Sequence, residues 1–269
     1  MKHMPRPWNP SPAIQASFAL HGAAALGVLA MPGHWPWALG ALAANHLILT
    51  TAGLLPRSTL LGTNLTRLPA AASARREIAL TIDDGPDPEV TPRVLDLLDI
   101  AGAPASFFCI GSRARRFPVL CREIVRRGHR VENHGDSHSS AFAAFGMRHM
   151  HADIAAAQST LSDITGQAPR FFRPTAGLRS PLLDPVLARL DLRLAAWTRR
   201  AFDTREGNPQ RVFQRLIHRL GPGDILLLHD GHAARAPTGE ALIVAVLPRL
   251  LQAIAESRLN PVTLTHSLA

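Results

Sequence analysis

Two adjacent carboxylates, Asp83-Asp84, stand directly after an apolar run, and two imidazoles, His134 and His138, lie four residues apart after another. Arg173, Asp203 and His229 fall at or just beyond the ends of further β-like runs. One carboxylate and two imidazoles make a three-ligand N2O set with positions open for water and substrate, for which zinc is the default ion. A second carboxylate beside it suits a general base, and a histidine from another segment suits a general acid. These parts together describe metal-assisted hydrolysis. Singly, each has a plainer explanation. Asp-Asp-Gly-Pro-Asp-Pro is rich in turn formers, His229-Asp230-Gly231 fits a turn, and the histidine pair and Arg173 fit a polar surface. Those explanations weaken when all of them must hold at one end of one sheet.

The elements that would position these residues are short apolar runs alternating with amphipathic stretches. Strands are expected at 77–82, 105–110, 130–133, 170–173, 193–198, 224–228 and 261–264. Helical patterns at 118–127, 151–165 and 209–220 close on Gly128, Gly166 and Gly221, and Thr91-Pro92 reads as the cap and first turn of a helix to about 101. Seven strands alternating with helices imply an α/β architecture with a parallel sheet; periodicity does not separate an open sheet from a closed barrel. No Gly-rich phosphate loop follows the first strand, which argues against a nucleotide site. In parallel α/β folds chemistry collects at the carboxyl ends of strands, where all the residues above lie.

At this point the residues resemble the five motifs of the polysaccharide deacetylase (NodB-homology) family, carbohydrate esterase family four. Thr81-Ile82-Asp83-Asp84-Gly85-Pro86 resembles the first, and Asn133-His134-Gly135-Asp136-Ser137-His138 the second, with Gly135 in place of a hydroxyl residue. Phe172-Arg173-Pro174-Thr175-Ala176-Gly177 resembles the third, Trp197 to Asp203 the fourth, and Leu227-Leu228-His229 the fifth. The resemblance spans about residues 75–269 and implies a distorted (β/α) barrel, with about seven parallel strands here. It also implies roles. Asp84, His134 and His138 would bind one divalent metal ion; Asp83 would be the base, paired with and oriented by Arg173. The backbone N–H of Ala176 would stabilise an oxyanion, and His229, oriented by Asp203, would protonate the leaving amine. Leu227 would line the acetyl pocket. Thr175, Ala176, Ser139 and Thr204 depart from the family pattern at presumed sugar-facing positions, so an unusual substrate is expected.

The 50 residues from Pro7 to Pro56 contain no Asp, Glu, Lys or Arg. Residues 13–31 and 35–55 are each long enough to span a bilayer, with a Pro32-Gly33-His34 turn between them and Trp8, Trp35 and Trp37 near the ends. This reads as a membrane hairpin over residues 1–56, a linker over 57–76 and a catalytic domain over 77–269. Lys2 and Arg6 precede the hairpin and Arg57, Arg67, Arg75 and Arg76 follow it, so both ends are expected on the cytoplasmic side of a bacterial inner membrane; a single span would place the domain outside. The net charge of +9 arises from scattered arginines without an aromatic stripe, which argues for a basic surface or lipid-headgroup attraction and against nucleic acid. Cys109 and Cys121 lack metal-ligand spacing, and Cys109 reads as a buried thiol.

The expected activity is hydrolysis of an N-acyl group, acetyl first, from an amino sugar in a polysaccharide, an oligosaccharide or a lipid-linked glycan. The alternatives are deformylation of a polyprenyl-linked amino sugar, an amidase acting on a non-sugar amide, and a non-catalytic glycan-binding module.

Overall fold

The computed structural model describes residues 6–268; Lys2, counted above among the basic flanks, lies outside them. The chain opens with two antiparallel-connected helices, α1 (Pro12–Ala30) and α2 (Trp35–Leu54), joined by a 3-10 turn at Pro32–His34. Ser11 caps α1 by accepting from the Ile14 N–H. The helices, 19 and 23 residues long with the turn, are apolar enough to cross a membrane. Only 11% and 17% of the spanning windows are buried within the protein, so these are not core helices. Leu26, Leu29, Trp37, Leu47 and Ile48 are exposed. Between the helices, Asn45 donates to Ser17 Oγ at 2.9 Å and His21 faces His46 at 3.3 Å.

The remainder runs α3 (Ala70–Ala74), β1 (Glu77–Asp83), α4 (Thr91–Ile100), β2 (Ser106–Cys109), α5 (Gly111–Arg116), α6 (Pro118–Arg126), β3 (Arg130–Asn133), α7 (Met147–Thr165), β4 (Phe171–Phe172), α8 (Leu183–Arg189), β5 (Arg193–Leu194), β6 (Arg199–Arg200), α9 (Pro209–Ile217), β7 (Ile225–His229), α10 (Leu242–Glu256) and β8 (Asn260–Val262). All pairings are parallel, in the order β5-β4-β3-β2-β1-β7-β6, with β8 also on β1. Here the expected fifth strand, 193–198, is cut short: only its first two residues form a strand, β5, at one end of the sheet, and β6, just beyond its expected end, lies at the other. The four residues between these strands span at most about 18 Å, so the sheet must curl until its two ends approach. Leu65 bridges that gap, donating to Leu194 O and accepting from Ala196 N. The result is the expected distorted (β/α) barrel.

Alternation along the strands sorts two cores. Ile78, Leu80, Ile82, Leu226 and Leu228 point outward and pack under the helices, while Ala79, Phe108, Phe171, Ile225 and Leu227 point inward. Each fully buried Leu, Ile or Phe contributes roughly 1.5–3 kcal/mol, so a one-residue slip, which would swap the faces, is strongly disfavoured. Three helix boundaries differ from expectation. Helix α9 ends at Ile217, three residues short of 220, with His218 as its cap. Val90, not Thr91, precedes the first helical residue of α4, because the Thr91 hydroxyl is drawn to Asp87 N and Asp230. Helix α7 begins at Met147, four residues earlier than the apolar pattern indicates. Gly166 ends it in the left-handed conformation (φ 69°). Cys109 and Cys121 are buried free thiols.

Candidate active site

Strand periodicity places the polar residues. Thr81 and Asp83 share the inward face with Ala79, and His229 shares it with Ile225 and Leu227. In register Asp83 lies between Phe108 of β2 and His229 of β7. Glu132 and His134 continue the inner face of β3, as Phe171 and Arg173 do for β4. Strand β4 is only two residues long, and the buried Glu132 carboxylate pins its start by accepting from the N–H groups of Arg170 and Phe171 at 2.8 Å.

Arg173 is buried, and Nη1 donates to Asp83 Oδ1 at 2.6 Å and to Thr81 Oγ1 at 2.9 Å. Nε and Nη2 donate to the carbonyls of Ala195 and Ala196, and the guanidinium lies 4.0 Å from the Phe108 ring centroid. A buried cation with every edge occupied can hold one carboxylate in one orientation. Burial pulls the Arg173 pKa below its usual value, opposed by the Asp83 charge.

Asp84 sits at φ 77°, a strained conformation for a residue with a side chain. His134 Nε2 and His138 Nε2 lie 3.1 and 3.0 Å from its Oδ1, and His232 Nδ1 lies 3.3 Å from its Oδ2. Burial would raise the Asp84 pKa, but the three imidazoles outweigh it and hold the carboxyl well below the usual range. The loop carrying the two histidines is tied down by Asp153, which accepts from Asp136 N and Ser137 N. Gly135 has φ 75°, and a Cβ there would stand 2.7 Å from Asp153 Oδ2, which explains why glycine replaces a hydroxyl residue.

The hydrogen bonds decide which histidines suit a metal. His134 Nδ1 is 2.7 Å from Arg173 O and must carry the proton, so Nε2 turns its lone pair toward Asp84 Oδ1. Two acceptors this close need a proton or a cation between them. Burial lowers the His134 pKa, yet Asp83 and Asp84 outweigh burial and raise it, so the two carboxylates favour positive charge at this position. The donor set therefore fits a divalent ion. Asp84, His138 and His232 also converge within 4.8 Å. His232, however, accepts from Arg113 Nη2 at 3.0 Å through Nε2, which leaves Nδ1–H to donate to Asp84 Oδ2. In this tautomer His232 braces the carboxylate through Nδ1–H.

On β7, His229 Nδ1 donates to Asp203 Oδ1 at 2.8 Å, and the His229 backbone N–H donates to Oδ2 at 2.8 Å. Burial pulls the imidazole down, but the Asp203 carboxylate outweighs it and raises His229 to about 9. Beneath the site, burial pushes Asp230 up to about 7 against hydrogen bonds from Thr91 and Gly231 N.

Asp83, Asp84, His134, His138, Ala176, Leu227 and His229 line one pocket of about 390 Å³, with the buried Arg173 and Asp203 behind it. The structure thus brings together every residue given a catalytic, substrate or metal role from the sequence, whereas Ser139 does not line the pocket. Ala176 has φ 56° in the turn after Pro174. Sequence reading missed His232, although its place three residues after His229 was a usable signal. It also missed Glu132 and Asp153, whose supporting contacts no local spacing reveals. A larger cavity, about 980 Å³, does not cover the carboxylates; it adjoins this pocket and shares Trp197 and Arg200 with it.

Known proteins share this arrangement of sequence and fold. The family model described as polysaccharide deacetylase matches residues 70–195. A peptidoglycan-N-acetylglucosamine deacetylase of Bacillus cereus is 32% identical over 184 residues, covering 64% of this chain and 81% of the relative. A chitooligosaccharide deacetylase of Bradyrhizobium sp. is 32% identical over 169 residues, covering 62% and 75%. A solved family 4 carbohydrate esterase from Streptomyces lividans, in complex with acetate, aligns with a TM-score of 0.62 at 29% identity, over 69% of this chain and 91% of that one.

Proposed function

This chain belongs to the polysaccharide deacetylase family, and from that premise we propose that it is a metal-dependent hydrolase of the N-acetyl group of an amino sugar, in a glycan or a lipid-linked glycan. The observation that supports this most strongly is the pairing of two pre-oriented groups in one pocket: Asp83 held by Arg173, and His229 held by Asp203, both beside Asp84 and its imidazoles.

Asp84, His134 and His138 would hold a divalent ion, zinc by its donor chemistry, which would supply Lewis acidity to the acyl carbonyl and to water. Asp83 takes a proton from the attacking water as the new C–O bond forms. The Ala176 N–H donates to the oxyanion that develops at the carbonyl. His229, charged through Asp203, gives its proton to the sugar nitrogen as the C–N bond breaks. The carboxylic acid, which ionises to solvent, and the free amine leave, and the proton on Asp83 passes back to His229. Leu227 walls the space for the acetyl methyl. Ala176 and Thr204, which stand where the family pattern has tyrosine and tryptophan, leave the wall around the sugar more open than those bulky aromatics would.

The two apolar helices anchor this domain in a membrane, with the basic ends of the hairpin and the catalytic domain on the cytoplasmic side. The catalytic unit begins after the connecting segment, near residue 77. Acetate release from N-acetylglucosamine oligomers by the full chain tests the reading. Activity should vanish with a chelator and return with a divalent ion. Formate or another acid from a matched substrate, with no acetate from any, would replace the acetyl assignment.

A further inference from the structure

The 980 Å³ cleft has three walls. One is the start of α1 at Ser11–Ala13; the second is the exit from α2, from Leu55 to Leu60; the third is the sheet end at Trp197, Thr198, Arg200 and Phe202. The start of α1 and the end of α2 are the same end of the hairpin, so in a bilayer this cleft opens at the level where lipid headgroups sit.

The hairpin base is docked firmly enough to make the cleft a fixed feature. Arg179 N donates to Gly53 O, Arg57 Nη1 donates to Thr198 O, and Trp8 Nε1 donates to Asp184. A Cβ on Gly53 would lie 2.1 Å from Arg179 O, so the helix approaches the loop after the Ala176 turn as closely as a backbone allows.

The cleft carries two guanidinium groups without a carboxylate beside them. Arg199 pairs with Asp224 and Arg215 with Glu206, yet among the described residues neither Arg57 nor Arg200 pairs with a carboxylate. Arg200 lies 5.4 Å from the Trp197 ring centroid and 5.0 Å from that of Phe202, and its Nε is buried without a hydrogen-bond partner. A guanidinium held between rings with free donors is pre-set for a bidentate oxyanion. Leu55, Pro56, Leu60 and Phe202 give the same cleft an apolar side, and Trp197 and Arg200 join it to the catalytic pocket.

We propose that this cleft binds the phosphate and first lipid carbons of a lipid-linked amino sugar, whose sugar then enters the adjoining catalytic pocket. The proposal rests on the deacylase reading above and narrows its substrate to one carried on a phosphorylated lipid. Phosphate oxygens take Arg57 and Arg200, the lipid chain leaves between the apolar residues toward the bilayer, and the sugar passes Trp197.

The test uses the full chain in discs of neutral lipid. Two quantities are measured: direct binding of a polyprenyl phosphate, and the ratio of kcat/KM for a polyprenyl-phosphate-linked N-acetyl amino sugar to that for a soluble N-acetylglucosamine oligomer. The wild type should bind the polyprenyl phosphate, and that ligand should compete with the linked substrate. R57Q and R200Q should each lower binding and the ratio by tenfold or more, with R57K and R200K recovering part of the loss, which separates charge from a folding defect. An unchanged ratio, or equal binding of phosphatidylglycerol, would overturn the proposal; the latter would mark an ordinary headgroup contact. Acetate from neither substrate would instead overturn the deacylase reading and the substrate assignment with it, while Arg-dependent binding of polyprenyl phosphate would still support the subsite.

Discussion

The catalytic pocket and the cleft at the hairpin base share Trp197 and Arg200 but treat charge in opposite ways. In the pocket the groups assigned to the chemistry have committed partners: Arg173 for Asp83, Asp203 for His229, and three imidazoles around Asp84. In the cleft Arg57 and Arg200 have carbonyl and ring neighbours and no carboxylate. Buried ion pairs with filled hydrogen bonds fix geometry, which proton transfer demands. Unneutralised guanidinium groups in a half-apolar recess instead suit a charge that arrives from outside. The contrast separates a region built to do chemistry from one built to receive a substrate.

The largest effect that would sharpen this comparison is expected from His229→Ala. Loss of the general acid should cut kcat by about 10²–10⁴, with metal content unchanged; a loss below threefold would move the acid elsewhere. Gly53→Ala addresses the other region. Its Cβ must displace the Arg179 carbonyl, so stability should fall by about 1–3 kcal/mol, read as a lower Tm, with a far smaller loss of acetate release than in His229→Ala. An unchanged Tm would mean the hairpin base is only loosely docked. A subtler effect concerns pH. In the metal-free protein His229 should titrate near 9 by NMR, and Asp203→Asn should bring it down toward ordinary histidine. Because the folded value exceeds the unfolded value of about 6.5, its contribution to stability is complete below about 6.5 and is lost as pH rises through 9. Asp203→Asn should flatten that alkaline loss; the same slope in both proteins would show that Asp203 does not govern His229.

The two regions were unequally legible from sequence. Asp83, Asp84, His134, His138, Arg173 and His229 stand at or just beyond the carboxyl ends of short apolar runs, so their common end of the sheet could be deduced from position alone. The parallel α/β class followed from the alternation of those runs with helical patterns. The break between Leu194 and Arg199 was not visible, because 194–197 is one apolar run; only curling of the sheet sends the strands before and after it to opposite ends. His232 escaped because its role depends on Arg113, 119 residues away. The segment 57–76 read as a polar connection, yet Leu61, Leu68 and Ala72 are buried and Leu65 pairs with the sheet. The cleft was illegible for the same reason: Ser11, Arg57 and Arg200 meet only through the tertiary fold.

The most direct test of the account is the metal content of purified full-length Asp83→Asn and Asp84→Ala beside the wild type, together with acetate release. The wild type should carry about one divalent ion per chain and release acetate. Asp83→Asn should keep the ion and lose turnover, and Asp84→Ala should lose both. Equal loss of metal in the two variants would contradict the assignment of Asp83 as base and Asp84 as ligand.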